Sequence, residues 1–247
     1  MTEKTHNDLL VVKDLSRSFG SLMAVNNLSF EVRQGEILGI IGPNGSGKTT
    51  VFNLLTGILK VDSGSIVLGG KDITGLSAAR RCRTGIGRTY QIPRPFTKMT
   101  VLENLMVPAV HGGGLNEKQA KIKSDEVLEL ISMTPVRNNF AGSLTLLDRK
   151  RLELGRALAT QPKLILIDEV AGGLTEKEVE QLLCIVKEIQ QKGITIIWIE
   201  HIMMMMSDGA DRVLCIAEGK RMQCGDPAEV MCSDAVLECY LGEEEDE

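Results

Sequence analysis

Gly42-Pro43-Asn44-Gly45-Ser46-Gly47-Lys48-Thr49-Thr50 decides how this chain folds. The stretch matches G-x-x-x-x-G-K-[ST], with Gly42, Gly47, Lys48 and Thr49 at the fixed positions. Glycines at this spacing let backbone N–H groups turn inward and cradle phosphate oxygens. Lys48 is then expected to reach the β and γ phosphates, and the Thr49 hydroxyl to hold Mg²⁺. The flanks agree. Ile37-Leu38-Gly39-Ile40-Ile41 is a short apolar run that reads as a buried strand, and Thr50-Val51-Phe52-Asn53-Leu54-Leu55 opens a helix whose N-terminus favours an anion.

Outward from this loop the chain alternates strands and helices. Upstream, Leu9–Val12 and the alternating Leu28-Ser29-Phe30-Glu31-Val32 read as β-rich and antiparallel, in a layer apart from the phosphate-loop strand. Downstream, Ile66-Val67-Leu68 is another alternating strand closed by Gly69-Gly70, and Thr84–Gln91 reads as a strand ending in glutamine before Pro93 and Pro95. From Thr100 to about Asn139 apolar residues recur at helical spacing, broken at His111–Gly114; this is a candidate helical insert. A further helix is expected over Arg149–Thr160. Lys163–Ile167 is a continuous apolar run suited to a central parallel strand, and it ends in Asp168-Glu169. A helix near 176–192, a strand over Ile194–Ile199 ending in Glu200-His201, and a hairpin around Val213–Gln223 complete a doubly wound, mostly parallel α/β sheet. The run Met203–Met206 suits a helix packed on the core better than a cofactor site.

Composition narrows the function. With 247 residues, 43% of them hydrophobic, the chain can bury one α/β core with an embedded subdomain. A formal charge of −5 gives no basic surplus for a nucleic-acid footprint. Cysteines 82, 184, 215, 224, 232 and 239 show no C-x-x-C spacing and read as reduced thiols. The three histidines do not cluster with them, so no metal site of that kind is expected. No apolar stretch is long enough to span a bilayer, and Met1–His6 lacks the apolar run of a signal peptide, so a membrane role must come through a partner. Glu243-Glu244-Glu245-Asp246-Glu247 reads as a solvated acidic tail.

Four polar residues stand at the ends of expected strands: Gln91, Asp168, Glu169 and His201. Open α/β sheets bind ligands at the carboxyl ends of their strands, so all four are expected to converge on a phosphate held by the glycine-rich loop. Asp168 is expected to hold Mg²⁺ through water, Glu169 to polarise the attacking water, and His201 to sense the γ-phosphate.

This ordered set resembles the ATP-binding cassette (ABC) ATPases over residues 8–242, and the likeness implies an α/β P-loop NTPase cassette. Its mostly parallel sheet core carries an antiparallel β subdomain and an inserted helical subdomain. The nucleotide-binding core is expected in 1–92 and 143–235, the helical subdomain in 93–142, and a C-terminal helix with the acidic tail in 236–247. The resemblance maps the ATP-binding Walker A loop to Gly42, Pro43, Asn44, Gly45, Ser46, Gly47, Lys48, Thr49 and Thr50, and Walker B to Leu164–Asp168. It makes Glu169 the catalytic glutamate, His201 the switch histidine and Gln91 the Q-loop glutamine, which joins Thr49 and Asp168 at Mg²⁺. Phe19 becomes the aromatic that stacks on adenine. The wording Gly87-Arg88-Thr89-Tyr90-Gln91, Thr100–Leu105, Ile199-Glu200-His201 and Tyr240-Leu241-Gly242 is more closely similar to ATPase subunits of branched-chain amino acid type importers. That likeness implies transmembrane permease partners, a second ATPase subunit, an external solute-binding protein and a place at the cytoplasmic face of the membrane.

The chain departs from the family in one stretch. Where the signature usually reads L-S-G-G-Q, this sequence has Leu144, Thr145, Leu146, Leu147 and Asp148, so a side chain is expected where backbone should approach phosphate, and a negative charge near it. Val170 replaces the usual proline, and Ala171–Thr175 lacks the aspartate of the dimer-contacting loop. These departures imply an asymmetric heterodimer in which this chain keeps a hydrolytic site and caps the partner's ATP with an altered loop. An exporter subunit and a regulatory nucleotide-binding subunit are the competing readings. A soluble cassette acting on nucleic acid or ribosomes fits less well, given one cassette with only a short helical insert and net negative charge.

Overall fold

The protein is described by a computed structural model over residues 7–241; Met1–His6, Gly242 and the acidic run Glu243–Glu247 lie outside the described residues. In chain order the elements are β1 (Asp8–Phe19), β2 (Leu22–Arg33), β3 (Ile37–Ile41), α1 (Lys48–Thr56), β4 (Ser63–Leu68), β5 (Lys71–Asp72), α2 (Ala78–Thr84), β6 (Ile86–Arg88), α3 (Val101–His111), α4 (Glu117–Leu130), α5 (Leu146–Leu158), β7 (Leu164–Asp168), α6 (Glu176–Gln191), β8 (Thr195–Ile199), α7 (Met203–Gly209), β9 (Arg212–Ala217), β10 (Lys220–Gly225), α8 (Pro227–Met231) and α9 (Asp234–Leu241). They fall into two compact units, one within Met1–Ala78 and Thr195–Glu247, the other Ala79–Ile194.

The first unit holds an antiparallel sheet of order β2-β1-β4-β5. In β2, Leu28, Phe30 and Val32 are buried while Ser29 and Glu31 are partly exposed, the period of two that a one-sided sheet imposes. The phosphate-loop strand β3 belongs to a separate sheet, as the sequence implies. It runs parallel to β8 and β9, and β10 pairs antiparallel with β9. All five residues of β3 and of β8 are buried, which explains their unbroken apolar sequences. The start of β3 is fixed by polar contacts. Ile37 N–H donates to Asp211 Oδ2 at 2.8 Å, and the Arg212 Nη1 guanidinium nitrogen lies 3.1 Å from Glu36 Oε1. The methionine run divides in two: Met205 and Met206 are fully buried, while Met203 and Met204 are 40% and 47% exposed.

The second unit pairs β6 and β7 in parallel, with α5 packed on both strands and α3 and α4 packed on α5. Its helices begin where side chains cap them. Thr100 and Glu103 form a reciprocal capping box on α3, and Asn116 with Gln119 does the same for α4. Helix α6 buries Val179, Leu182, Ile185, Val186 and Ile189, a stripe at helical spacing.

Three local expectations need correcting. The segment Thr84–Gln91 is not one strand: Thr84 closes the unexpected helix α2, β6 covers only Ile86–Arg88, and Gln91 lies in a bend beyond it. Pro93 and Pro95 restrict the chain here, and the extended pattern stops before Tyr90. The helix expected from Arg149 starts instead at Leu146, because Thr145 caps it. His201 stands two residues past the end of β8 and is exposed.

Candidate functional site

The phosphate loop lies in the first unit between β3 and α1. Gly42, Gly45 and Gly47 have φ of 149°, 73° and 102°. At Gly42 a Cβ would lie 2.0 Å from the Ile216 carbonyl oxygen, and at Gly47 2.3 Å from that of Ala24, so these two positions accept no side chain. A Cβ on Gly45 would meet nothing within 4 Å, so the loop is open on that side. The Lys48 ammonium donates to the carbonyls of Gly42 and Pro43 at 2.7 and 2.8 Å, inside the loop it is expected to serve. Helix α1 starts at Lys48 with Gly47 as its cap, which has no side chain to occupy the first-turn N–H groups. Ser46 is 3% exposed, and its Oγ has no hydrogen-bond partner among the described residues. First-turn N–H groups that no side chain caps, a buried hydroxyl and a buried ammonium form a cradle that fits a polyphosphate.

Other parts of this unit support the loop. Gly42 N–H donates to Tyr240 Oη at 2.7 Å, which ties the loop to α9. Burial pushes the Cys215 thiol up to about 11, with Cys239 adding to the shift and Lys48 opposing it. Phe19, at the end of β1, is 44% exposed with the Arg17 guanidinium 5.1 Å from its ring centroid, so its ring is available for stacking. Pro43 is half-buried, Asn44 and Thr49 are exposed, and Thr50 is half-buried.

The acidic pair lies in the second unit at the end of β7. Arg88 Nη2 donates to Asp168 Oδ2 at 2.9 Å, and both side chains are only 8% exposed. Asp168 N–H donates to Thr89 Oγ1 at 3.1 Å. The end of β6 therefore fixes the aspartate at both backbone and carboxylate. Glu169 has φ 44°, a left-handed conformation that costs a non-glycine residue about 1 kcal/mol or more. Its Oε2 accepts from Gln91 Nε2 at 2.5 Å. Gln91 and Glu169, which the sequence places 78 positions apart, are thus brought together. Within the second unit, the Asp168 carboxylate and the Gln91 amide oxygen are hard oxygen donors of the kind Mg²⁺ prefers, and within the first the Thr49 hydroxyl is another; with Oδ2 engaged by Arg88, Asp168 offers Oδ1.

The signature stretch is the first turn of a helix. Leu144 is buried and Thr145 caps α5, accepting from Asp148 N–H at 3.2 Å, while its own hydroxyl donates to Asp148 Oδ2 at 2.9 Å. The charge of Asp148 is further offset by Arg151 Nη1 at 3.6 Å. Leu147, expected to intrude on a phosphate, is instead 8% exposed; Leu146 is the side chain that protrudes, at 47%. A Cβ on Gly173 would lie 3.3 Å from Leu146 Cδ2, so the departures on either side of α5 and β7 meet in space.

Two groups escape a reading of the sequence. Arg88 pairs with a residue 80 positions away, and no local pattern announces that. Glu153 and Arg156 on α5 have the i, i+3 spacing of a helical ion pair, and that spacing is the available signal.

A glycine-rich phosphate loop at the end of a buried parallel strand, with a second strand carrying Asp-Glu at its end, defines a P-loop NTPase. The family model described as "ABC transporter" matches residues 25–172, and the chain belongs to the ABC transporter ATPase family. It is 38% identical to the high-affinity branched-chain amino acid transport ATP-binding protein LivG of Salmonella typhimurium over 250 residues, 95% of this chain and 98% of that one. It is 34% identical to the lipopolysaccharide export system ATP-binding protein LptB of Haemophilus influenzae over 236 residues, 96% and 98% of the two chains. A solved ADP conformation of an ATP-binding cassette of an ABC transporter superposes with TM-score 0.86 at 31% identity, covering 95% of this chain and 99% of that one. The chain is thus an ATPase of this family. Among its described residues no helix is long and apolar enough to cross a membrane.

Proposed function

We propose that this chain is the ATP-hydrolysing subunit of an importer that takes up branched-chain amino acids or related small solutes. The observation that carries the reading is the likeness to LivG over 95% of the chain. A single cassette spanning 1–242 docks on transmembrane permeases at the cytoplasmic face of the membrane, and an external solute-binding protein supplies the solute.

In this reading Gly42–Thr50 and Lys48 hold the phosphates of ATP, and Phe19 stacks on adenine. Thr49, Asp168 and Gln91 serve Mg²⁺, which when bound draws charge from the phosphates. Glu169 accepts a proton from the attacking water, Gln91 orients Glu169 through their hydrogen bond, and His201 donates to the γ-phosphate as its charge grows. The signature turn Leu144–Asp148 caps the ATP of a second, different ATPase subunit. With the Thr145 hydroxyl engaged by Asp148, that capped site hydrolyses more slowly than the one built on Glu169. The likeness to LptB supports an exporter as the second reading.

Reconstitution with the permeases and the second ATPase decides between them. Labelled leucine, isoleucine or valine is expected to accumulate on the ATP side with the binding protein present. Glu169→Gln should lower uptake and ATPase at least 100-fold, and the equivalent change in the partner subunit much less. Movement of solute away from the ATP side establishes the exporter. Equal losses from the two changes overturn the asymmetric pairing.

A further inference from the structure

Helix α5 does more than carry the signature turn at its start. Glu153, two turns further along it, is 4% exposed, an unusual burial for a carboxylate. Its partners explain how it is tolerated. Arg156 Nη1 donates to Glu153 Oε2 at 2.8 Å, and the backbone of Tyr90 and of Arg94 lies against the same carboxylate and favours its charged form. Arg156 Nη1 also donates to the Arg94 carbonyl at 3.0 Å, and its guanidinium lies 5.4 Å from the centre of the Phe96 ring. One ion pair on α5 thus lies against both ends of the segment Tyr90–Arg94, and its arginine bonds the Arg94 end. Between those ends Gln91 and Ile92 are exposed, and Gln91 reaches Glu169.

We propose that Glu153, with Arg156, is a positioning residue that sets the place of Gln91 against Glu169 and ties it to the signature turn. The argument is one of stiffness. A five-residue loop bonded at its Arg94 end by a guanidinium, with Tyr90 set against the buried carboxylate at the other end, has little freedom left, and Pro93 removes more. An α-helix transmits displacement with little bending over the distance from Thr145 to Glu153, about 12 Å at its usual rise. A shift of α5 as its first turn meets the opposing nucleotide therefore carries Tyr90 and Arg94, and Gln91 between them, toward or away from Glu169. The grip uses the body of α5, so it survives the loss of the family's glycines at Leu146 and Leu147.

The functional half of this proposal rests on the roles given above to Gln91 and Glu169; the structural half does not. Hydrogen exchange on the full chain tests the structural half. In Glu153→Gln, which keeps the shape but loses the charge, the Tyr90 and Arg94 amides should exchange at least tenfold faster while the core amides of β7 do not change. Glu153→Ala should exceed that, and Arg156→Lys should fall between. Turnover of the assembled transporter tests the functional half. Glu153→Gln should lower kcat at least tenfold with KM for ATP within twofold. Added to Gln91→Ala, it should lower kcat no further, because it acts through Gln91. Unchanged exchange in both Glu153 variants overturns the grip. Faster exchange with full kcat, or losses that multiply with Gln91→Ala, overturns the positioning role. If Gln91→Ala alone keeps full kcat, the role given to Gln91 has failed, and the exchange result still reports on the grip.

Discussion

The phosphate loop and the signature turn both begin helices, yet they treat side chains in opposite ways. At Gly42 and Gly47 the backbone occupies conformations with φ of 149° and 102°, and a Cβ would strike carbonyl oxygens of neighbouring strands. At Leu146 and Leu147, where the family usually has glycine, the backbone is ordinary helix; one side chain is buried and the other rests beside Gly173. Glycine in the first case is a requirement of this chain's own fold. In the second it can be replaced without strain within the subunit, so any need for it arises only where a second polypeptide approaches. The departure from the family pattern is a change in what the turn presents and leaves the helix itself well formed.

The sharpest way to break this comparison is to add one methyl group to the phosphate loop. Gly47→Ala places its Cβ against the Ala24 carbonyl in a conformation L-residues avoid. Binding of a fluorescent ATP analogue should weaken by at least 100-fold, about 3 kcal/mol. Near wild-type binding would mean that the loop has slack, and that the two glycine positions differ less from the signature turn than their geometry indicates.

The converse change sharpens it. Restoring glycine at Leu147 removes a buried side chain from α5 and should destabilise the chain by about 3 kcal/mol in urea unfolding. Leu146→Gly removes an exposed side chain and should cost about 1 kcal/mol or less. Similar losses at the two positions would show that Leu147 does not carry packing that Leu146 lacks. In the proposed pairing the exposed Leu146 is the residue that meets the second subunit, and its removal costs the fold least.

How much of this was legible in the sequence follows the same division. Gly42, Gly47 and Lys48 are readable because their conformations admit few other residues, and β3, β7 and β8 because full burial writes itself as unbroken apolar runs. The start of α5 is hard to place from sequence because Thr145 has the character of a loop residue, and its hydroxyl bonds Asp148 only once the turn is formed. Helix α2 leaves no signal in the sequence because Ala78-Ala79-Arg80-Arg81 has no apolar period, and its buried residue is Arg81. The pairing of Arg88 with Asp168, and of Glu153 with the backbone of Tyr90 and Arg94, depends on where distant segments come together, and local pattern does not encode that. In the candidate site, the glycine-rich loop and the acidic end of β7 are readable from the sequence, and contacts that hold them, such as Arg88 on Asp168, are not.

The smallest effect concerns what holds the phosphate loop from beneath. Tyr240 Oη accepts from Gly42 N–H at 2.7 Å, and Gly42 is buried, so removing the hydroxyl leaves a backbone donor without that partner. Such a loss costs about 1–2 kcal/mol, whereas the tyrosine ring itself is retained in Tyr240→Phe. Because the bond lies at the base of the loop, the loss should divide between stability and function. Unfolding should shift by about 1 kcal/mol, and ATP affinity by about threefold, with kcat in the assembled transporter unchanged. A loss of affinity as large as that of Gly47→Ala would place Tyr240 in the binding step itself. No change in either quantity would mean that the neighbouring strand carbonyls alone fix the loop, which would strengthen the contrast with the signature turn, where one side-chain cap sets the start of the helix.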